Sequence, residues 1–206
     1  MASSHAEPGL QEAKSTRMRE RVCRAAAECL ARDGYAATSI GRVAAHAGVS
    51  KGALQHHFPT REDMMAATAE WLLGNATNLH LRNTRGPRSE RSTERELLRT
   101  WEKGAGTDEF RALMEILVRM RTDGQLRARL GGPLQAWQEQ AAGLTREGYE
   151  AASGDEDDVE VLMAMHICLV RGLSIQQYCT PDPEFVQRIL RRWVELVSPQ
   201  LRPRRR

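Results

Sequence analysis

Apolar residues recur at intervals of three and four along most of the chain, and this spacing predicts α-helices. Runs of β-branched residues are absent and prolines are few, so the pattern indicates an all-α fold. Gly34 stands where the C-cap of the first helix is expected. The apolar stripe of that helix consists of Met18, Val22, Ala25, Ala26, Cys29 and Leu30.

Two short helices are predicted next. Thr38 is the expected N-cap of the second helix, which ends at Gly48, and Ser50 is the expected N-cap of a third helix over residues 51–57, which Pro59 ends. Because isolated helices need roughly 12–15 residues to be stable, both must pack against the first helix. This arrangement is a helix-turn-helix, in which the second helix of the pair projects from the body. The expected buried positions of the second helix are Ile40, Val43, Ala44 and Ala47.

The rest of the chain predicts longer helices. Thr60 and Asp63 form a capping box that opens a fourth helix. Residues 83–96 are polar and predict a loop leading into a helix that ends near Gly104. Further helices are expected at about 107–122, 126–150 and 157–178, and Asp182-Pro183 is a strong start signal for a last helix at 183–197. The expected stripe of the fourth helix is Met64, Met65, Thr68, Trp71, Leu72, Asn75 and Leu79.

The domain organisation follows from these elements. An N-terminal three-helix helix-turn-helix domain is predicted at 15–61 and a larger helical domain at 62–201, with a disordered arm at 1–14 and a basic tail at 202–206. Residues 1–61 hold nine basic and five acidic residues, the larger domain is net acidic, and the tail RPRRR is basic. Two basic ends suit a polyanionic partner, although the tail could equally have no role.

Several classes of protein are excluded by composition. No apolar run approaches the roughly 20 residues of a membrane helix, and the N-terminus lacks the apolar region of a signal peptide, so a cytoplasmic protein is expected. No Ser-His-Asp arrangement, phosphate-binding glycine loop or metal-ligand spacing is present, which predicts no catalytic residues, no metal, no cofactor and no enzyme. The four cysteines are expected to be buried thiols: Cys23, Cys29, Cys168 and Cys179.

The segment VSKGALQHHF at residues 49–58 carries the chemistry of the third helix. Lys51, Gly52 and Ala53 lie at its start, where free N–H groups suit phosphates or base edges. Gln55 has a donor and an acceptor for an adenine edge, and His56 or His57 can meet phosphate. Arg42 is either a further DNA contact or a solvated side chain. Adjacent histidines point about 100° apart on a helix, so a metal site is disfavoured.

The segment GYAATSIGRVAAHAGVSKGALQHHFPTREDMMAA, within a match over residues 15–70, resembles the N-terminal domain of the TetR family of ligand-responsive transcriptional repressors. One position departs: Gln55 stands where the family usually has a tyrosine that contacts the DNA backbone. Gln55 is therefore free to read a base or to lose that contact. With this resemblance, the expected DNA-binding residues are Thr38, Arg42, Ser50, Lys51, Gly52, Ala53, Gln55, His56, His57 and Arg61.

The resemblance also implies roles for the larger domain. Its last two helices would pair with a second copy, the alternative being that they complete a monomer core; the expected interface residues are Val170, Leu173, Phe185, Ile189, Trp193 and Val197. A ligand cavity is implied, although its candidates would also suit an ordinary core: Trp71, Trp101, Met114, Met120, Trp137, Met163 and His166. The function implied by the resemblance is that of a homodimeric regulator that binds a palindromic operator and is released by a small, largely apolar ligand; repression is the commoner role in this family. The alternative is a ligand-independent architectural DNA-binding protein.

Overall fold

The computed structural model describes residues 8–84, 92–179 and 182–204. Within them the predicted all-α fold is confirmed, with the addition of a short antiparallel ribbon. The helices are α1 (Pro8–Ala37), α2 (Ile40–Ala47), α3 (Lys51–His57), α4 (Arg61–Thr84), α5 (Thr93–Thr100), α6 (Asp108–Met120), α7 (Gly124–Gly148), α8 (Glu156–Cys179) and α9 (Pro183–Val197). A π-helical turn (Trp101–Ala105) follows α5, and a 3-10 turn (Ser198–Gln200) joins α9 to strand β2 (Leu201–Pro203), which pairs with β1 (Tyr149–Ala151).

The helix-turn-helix elements form where the sequence places them. Helix α3 spans the predicted residues, and the Ser50 hydroxyl accepts a hydrogen bond from the Ala53 N–H at 3.1 Å. Gly48 ends α2 with a left-handed backbone at φ 63°, a conformation that glycine adopts without steric cost. One cap is corrected: Ser39, not Thr38, caps α2, because its hydroxyl is the one that reaches the Arg42 N–H.

Helix α1 differs from its predicted bounds in two ways. It begins at Pro8, so residues 8–14 are helical rather than a disordered arm. Proline at the first helical position and good helix formers after it explain this extension. Gly34 interrupts the helix as predicted, but with φ 78° and ψ 171°, which is not a left-handed helical cap. Residues 1–7 of the predicted arm lie outside the described residues.

The later start signals are confirmed in their hydrogen bonds. At α4 the Thr60 N–H donates to Asp63 Oδ2 at 3.0 Å, and the Asp63 N–H donates to Thr60 Oγ1 at 3.1 Å, which is the predicted capping box. At α9 the Phe185 N–H donates to Asp182 Oδ1 at 2.8 Å. The side chain of Leu79 and residues 85–91 of the predicted loop lie outside the described part of the chain.

The chain divides into two compact units. The N-terminal unit comprises Met1–Leu72 with Ala112–Gly131, and the C-terminal unit comprises Leu73–Arg111 with Gly132–Arg206. The first unit is thus larger than the predicted domain at 15–61, because the first half of α4 and residues from α6 and α7 belong to it. The sequence does not reveal this, since periodicity predicts a helix but not what it packs against.

Among the described residues of the C-terminal unit, two apolar clusters stand out. The first cluster is Leu97, Tyr149, Val159, Val194, Val197 and Leu201. The second cluster is Trp101, Ala105, Val170, Leu173, Val186 and Leu190. The β1–β2 ribbon supplies Tyr149 and Leu201 to the first cluster, and the buried Thr93 hydroxyl donates to the Leu201 carbonyl at 3.0 Å.

Three residues of the predicted basic tail, Arg202 to Arg204, are held against the C-terminal unit. Arg202 of β2 lies opposite Glu150 in the strand register, and Arg204 Nε donates to the Tyr149 carbonyl at 2.8 Å. The Arg204 guanidinium also pairs with Glu156. Residues 205–206 lie outside the described residues.

Two further expectations concern burial and membranes. Cys23 and Cys29 are buried as predicted, and burial raises the pKa of the Cys23 thiol to about 11. Cys168 and Cys179 are exposed instead, because they lie on the side of α8 that the rest of the described chain does not cover. In the described ranges no helix is both long enough and apolar enough to cross a membrane.

Candidate nucleic-acid interface

Helix α3 is anchored by apolar side chains at its middle and at its end. Leu54 is 0% exposed and Phe58 is 1% exposed. Helix α2 packs against both α1 and α3, and its small buried residues Ala44 and Ala47 permit close approach. The two turns of α3 are therefore packed against the rest of the N-terminal unit, as the helix-turn-helix prediction requires.

The other face of α3 is open to solvent. Lys51, Gly52, Gln55 and His56 are exposed, whereas Ala53 and His57 are half-buried. Ser50 is exposed, but its hydroxyl is already used in the cap. This face offers a cation, an amide and an imidazole within two helical turns, a set suited to phosphates and to base edges in a groove.

Two arginines of α1 hold the ends of α3, and the sequence analysis did not identify them. Arg19 Nη1 donates to the His57 carbonyl at 3.3 Å, and the Arg19 guanidinium lies 4.7 Å above the centre of the Phe58 ring. Arg21 Nη2 donates to the Gly48 carbonyl at 3.3 Å, in the turn before α3. No sequence pattern signals these contacts, because they join residues 27 and 38 positions apart.

Two predicted DNA-binding side chains serve the fold instead. Thr38 is 0% exposed, and its hydroxyl donates to the Gly34 carbonyl at 2.8 Å. Arg61 is half-buried: Nε donates to the Thr38 carbonyl at 2.8 Å, Nη2 donates to the Tyr35 carbonyl, and the guanidinium lies 4.2 Å above the Tyr35 ring. Neither side chain lies on the open face, because both close the junction between α1, α2 and α4.

Arg42 is exposed but already paired. Its guanidinium lies 3.3 Å from Asp33 Oδ2, and Arg32 holds the same carboxylate in a two-pronged contact at 3.0 and 2.8 Å. Hydrogen bonding by Arg32 lowers the pKa of Asp33, so this carboxylate stays ionised at neutral pH. A DNA contact by Arg42 would therefore share the guanidinium with Asp33.

The candidate effector-binding residues divide between the two units. Trp71, Met114 and Met120 belong to the N-terminal unit, and the others belong to the C-terminal unit, where Trp101 and His166 are buried and Trp137 and Met163 are half-buried. Trp101 is part of the second cluster, and Met163 packs against the first. That these residues bind an effector remains a prediction.

His166 is the buried polar group of α8. It is 0% exposed, and its Nδ1 accepts a hydrogen bond from Trp193 Nε1 at 3.1 Å. Because an indole N–H only donates, His166 carries its proton on Nε2. That Nε2 is buried and has no partner among the described residues. Burial also lowers the pKa of His166 to about 4, so the imidazole is neutral at pH 7.

This pKa predicts a stability loss in mild acid. Between pH 6.5 and about 4 the unfolded chain takes up a proton that the buried imidazole refuses, so the free energy of unfolding falls as pH falls. The loss attributable to His166 is about 3 kcal/mol at pH 4. Denaturant unfolding measured from pH 7.5 to 4 checks it. In His166→Asn, which keeps an acceptor for Trp193, this pH dependence is expected to disappear; equal slopes in both proteins would contradict the assignment.

The predicted dimer residues require correction. Val170, Leu173 and Val197 are buried in the two clusters of their own chain, and Ile189 and Trp193 pack against them. Of that set only Phe185 is strongly exposed, at 47%. Apolar residues lie almost all round α8, so the sequence predicts burial on nearly every side, but the chain covers one side only. Its open side forms the α8 stripe: Val161, Met165, Cys168, Gly172, Ile175 and Cys179.

Metal ligation was not predicted, and the described residues contain no group of three or more His, Cys, Asp or Glu side chains that could hold a metal ion. The His56 and His57 rings stand edge to face, with centroids 5.5 Å apart. This geometry places the two imidazoles as separate surface groups.

Comparison with known proteins identifies the helix-turn-helix region. Residues 22–68 match the family model described as bacterial regulatory proteins, tetR family. The chain is also similar to the HTH-type transcriptional regulator CymR of Pseudomonas putida, with 26% identity over 172 residues that cover 84% of this chain and 85% of the relative.

Solved structures share the fold over most of the chain. A TetR-family transcriptional regulator from Cytophaga hutchinsonii superposes with a TM-score of 0.69 at 17% identity, covering 91% of this chain and 96% of the other. A transcriptional regulator from Saccharomonospora viridis, solved in complex with choline, gives a TM-score of 0.66 at 18% identity and covers 92% and 100%.

Proposed function

We propose that this chain, which belongs to the TetR family of transcriptional regulators, binds a palindromic operator as a homodimer, represses transcription there, and is released by a small effector. Its relatives are transcriptional regulators, and nothing about them indicates an enzyme. The observation that carries the proposal is the open face of α3, held at both of its ends by α1. Because its proposed partner is bacterial operator DNA, the proposed location of the protein is the cytoplasm.

The open face of α3 supports sequence reading in the major groove. Gln55 is exposed on the open face of α3. A side-chain amide can accept from adenine N6 and donate to adenine N7 at the same time. Lys51 at the helix start suits a phosphate or a guanine. His56 and His57 serve phosphates, and Arg42 contributes only as far as its pairing with Asp33 allows.

The α8 stripe supports the homodimer. Its residues follow one another at intervals of four and three, the spacing that faces one helix towards a partner helix. Val161 is 54% exposed and Ile175 is 54% exposed, while Leu196 and Phe185 of α9 are similarly open. A two-fold axis would bury the same stripe of both copies, and two recognition helices would then meet successive major grooves about 34 Å apart.

The effector is proposed to bind in the C-terminal unit and to include a hydrogen-bond acceptor. His166 Nε2–H is a buried donor without an acceptor in the described residues, and a ligand oxygen would supply one. The relative solved with choline binds a small organic molecule, which supports a small effector here. Helix α4 is continuous from residues of one unit into residues of the other, so it is the proposed route of coupling. Effector and operator must then weaken each other equally.

Selection of binding sites from a random duplex library tests the proposal. We expect the chain to recover a two-fold symmetric motif. Gln55→Ala should lose about 1–3 kcal/mol of binding free energy and relax the preference at one base pair in each half-site, because the amide no longer pairs with a base edge.

The control variant is His56→Ala, whose side chain is expected to contact phosphate and should weaken all sequences alike. An unchanged motif with Gln55→Ala would contradict base reading by this residue. Recovery of no motif by the natural chain would favour the alternative, an architectural DNA-binding protein without sequence preference.

A further inference from the structure

The first turns of α1 project past the helix-turn-helix. Arg19 and Arg21 are the α1 residues that hold the two ends of α3, so residues 8–18 lie beyond that crossing. From residue 9 to residue 17 the side chains whose exposure is described are open to solvent, apart from half-buried Ser15. These eleven helical residues extend about 16 Å. Because these side chains are mostly exposed, packing within the chain does not explain why this segment carries the residues it does.

One face of this projection is basic. Four cations follow one another at intervals of three, four and three, which places them on one side of a helix. Glu12 lies on the opposite side. We call this face the α1 basic stripe: Lys14, Arg17, Arg21 and Arg24, all exposed. None of the ion pairs found in the described ranges includes any of the four.

One end of the α1 basic stripe lies beside helix α3. Arg21 belongs to it and also donates to the Gly48 carbonyl in the turn that opens α3. Lys14 lies seven residues before Arg21, about 10 Å along the helix axis. The major groove is about 12 Å wide, so cations at this distance from a helix inside the groove reach the phosphates along its edge.

We propose that the α1 basic stripe is a second DNA-binding surface, in which Lys14 and Arg17 contact backbone phosphates beside the groove that α3 occupies. The inference rests on the proposed DNA-binding function. The partner is duplex DNA because the stripe is exposed, adjoins α3 and forms no ion pair among the described residues; of the acidic residues nearest to it on α1, Glu20 and Glu28, the second pairs with His46. These contacts carry no sequence information, so they add affinity to every site and fix the orientation of α3.

The experiment measures binding of the full chain to a random-sequence duplex of roughly 30 base pairs at several salt concentrations. Lys14→Gln with Arg17→Gln removes two phosphate contacts from each protomer. The slope of log affinity against log salt should become shallower by about 1.8 for each protomer bound, and affinity near 0.1 M salt should fall roughly 10- to 100-fold for each. Both side chains are exposed, so thermal unfolding should be unchanged.

The matched control is Arg121→Gln with Arg127→Gln. These two exposed cations of the same unit give the same change in net charge. The control should keep the slope of the natural chain; an equal loss would show a net-charge effect and overturn the inference. An unaltered slope in the Lys14, Arg17 variant would also overturn it, and so would an altered molar mass, which would make the stripe a protein contact. If the natural chain itself shows no salt-dependent duplex binding, the proposed function fails as well.

Discussion

Ile175→Glu is expected to convert the proposed homodimer into a monomer and to weaken operator binding by about 10²- to 10⁴-fold, since the two half-sites then bind independently. Ile175 lies in the α8 stripe and is 54% exposed in the single chain. A carboxylate buried there in both copies would lie near its symmetry mate without a counter-ion, and burial of such a charge is strongly unfavourable. Light scattering gives the molar mass, and titration of the selected duplex gives the affinity.

Val118→Glu is the matched control for this substitution. Val118 is 58% exposed but belongs to the N-terminal unit, outside the α8 stripe. Its variant should remain a dimer with unchanged affinity. Trp193→Glu would be a poor test, because Trp193 packs against the first cluster and donates to His166, so its loss would damage the core of the chain. A folded Ile175→Glu protein that stays dimeric would contradict the proposed interface.

Arg61→Ala is expected to lower the free energy of unfolding by about 2–4 kcal/mol. Operator binding should be lost at the denaturant concentrations that unfold the variant. Its guanidinium binds the carbonyls of Thr38 and Tyr35 and stacks on the Tyr35 ring. Alanine would leave two carbonyls without this donor at the junction between α1 and α2. Denaturant unfolding of the full chain provides the measurement.

Arg129→Ala is the control for the loss of a cation near the same helix start. Arg129 pairs with Asp63 at 3.2 Å, and both side chains are about a third exposed. Such a pair contributes at most about 1 kcal/mol, so the control should be nearly neutral. If Arg61→Ala left stability unchanged but weakened DNA binding, Arg61 would be the direct DNA contact that the sequence suggested.

The contrast between Ser50 and Thr38 shows the reach of sequence reasoning. Ser50 was identified as a cap, and its hydroxyl binds the Ala53 N–H three residues away. Thr38 was identified by the same rule, yet its hydroxyl turns back to Gly34 and Ser39 takes the cap. Two adjacent hydroxyls satisfy one local pattern, and burial decides between them.

The sequence by itself determined what depends on neighbours a few residues apart. The bounds of α3, the glycine that ends α2, the Thr60–Asp63 capping box and the start of α9 are all local hydrogen-bonding or backbone preferences. The open face of α3 also follows, since Leu54 and Phe58 must point inward. These features, with the family resemblance, were sufficient to predict the fold class and a transcriptional regulator.

Only the tertiary structure decided which faces the chain covers. The sequence shows that α8 is apolar almost all round, but the packing of α9 and the π-helical turn against one side buries Val170 and Leu173 and leaves Ile175 open. Hydrogen bonds between distant residues are decided in the same way: Arg61 donates to the Tyr35 and Thr38 carbonyls, and Arg204 donates to the Tyr149 carbonyl. Such pairings join residues 23 to 55 positions apart, and their energy depends on a geometry that no short sequence pattern encodes.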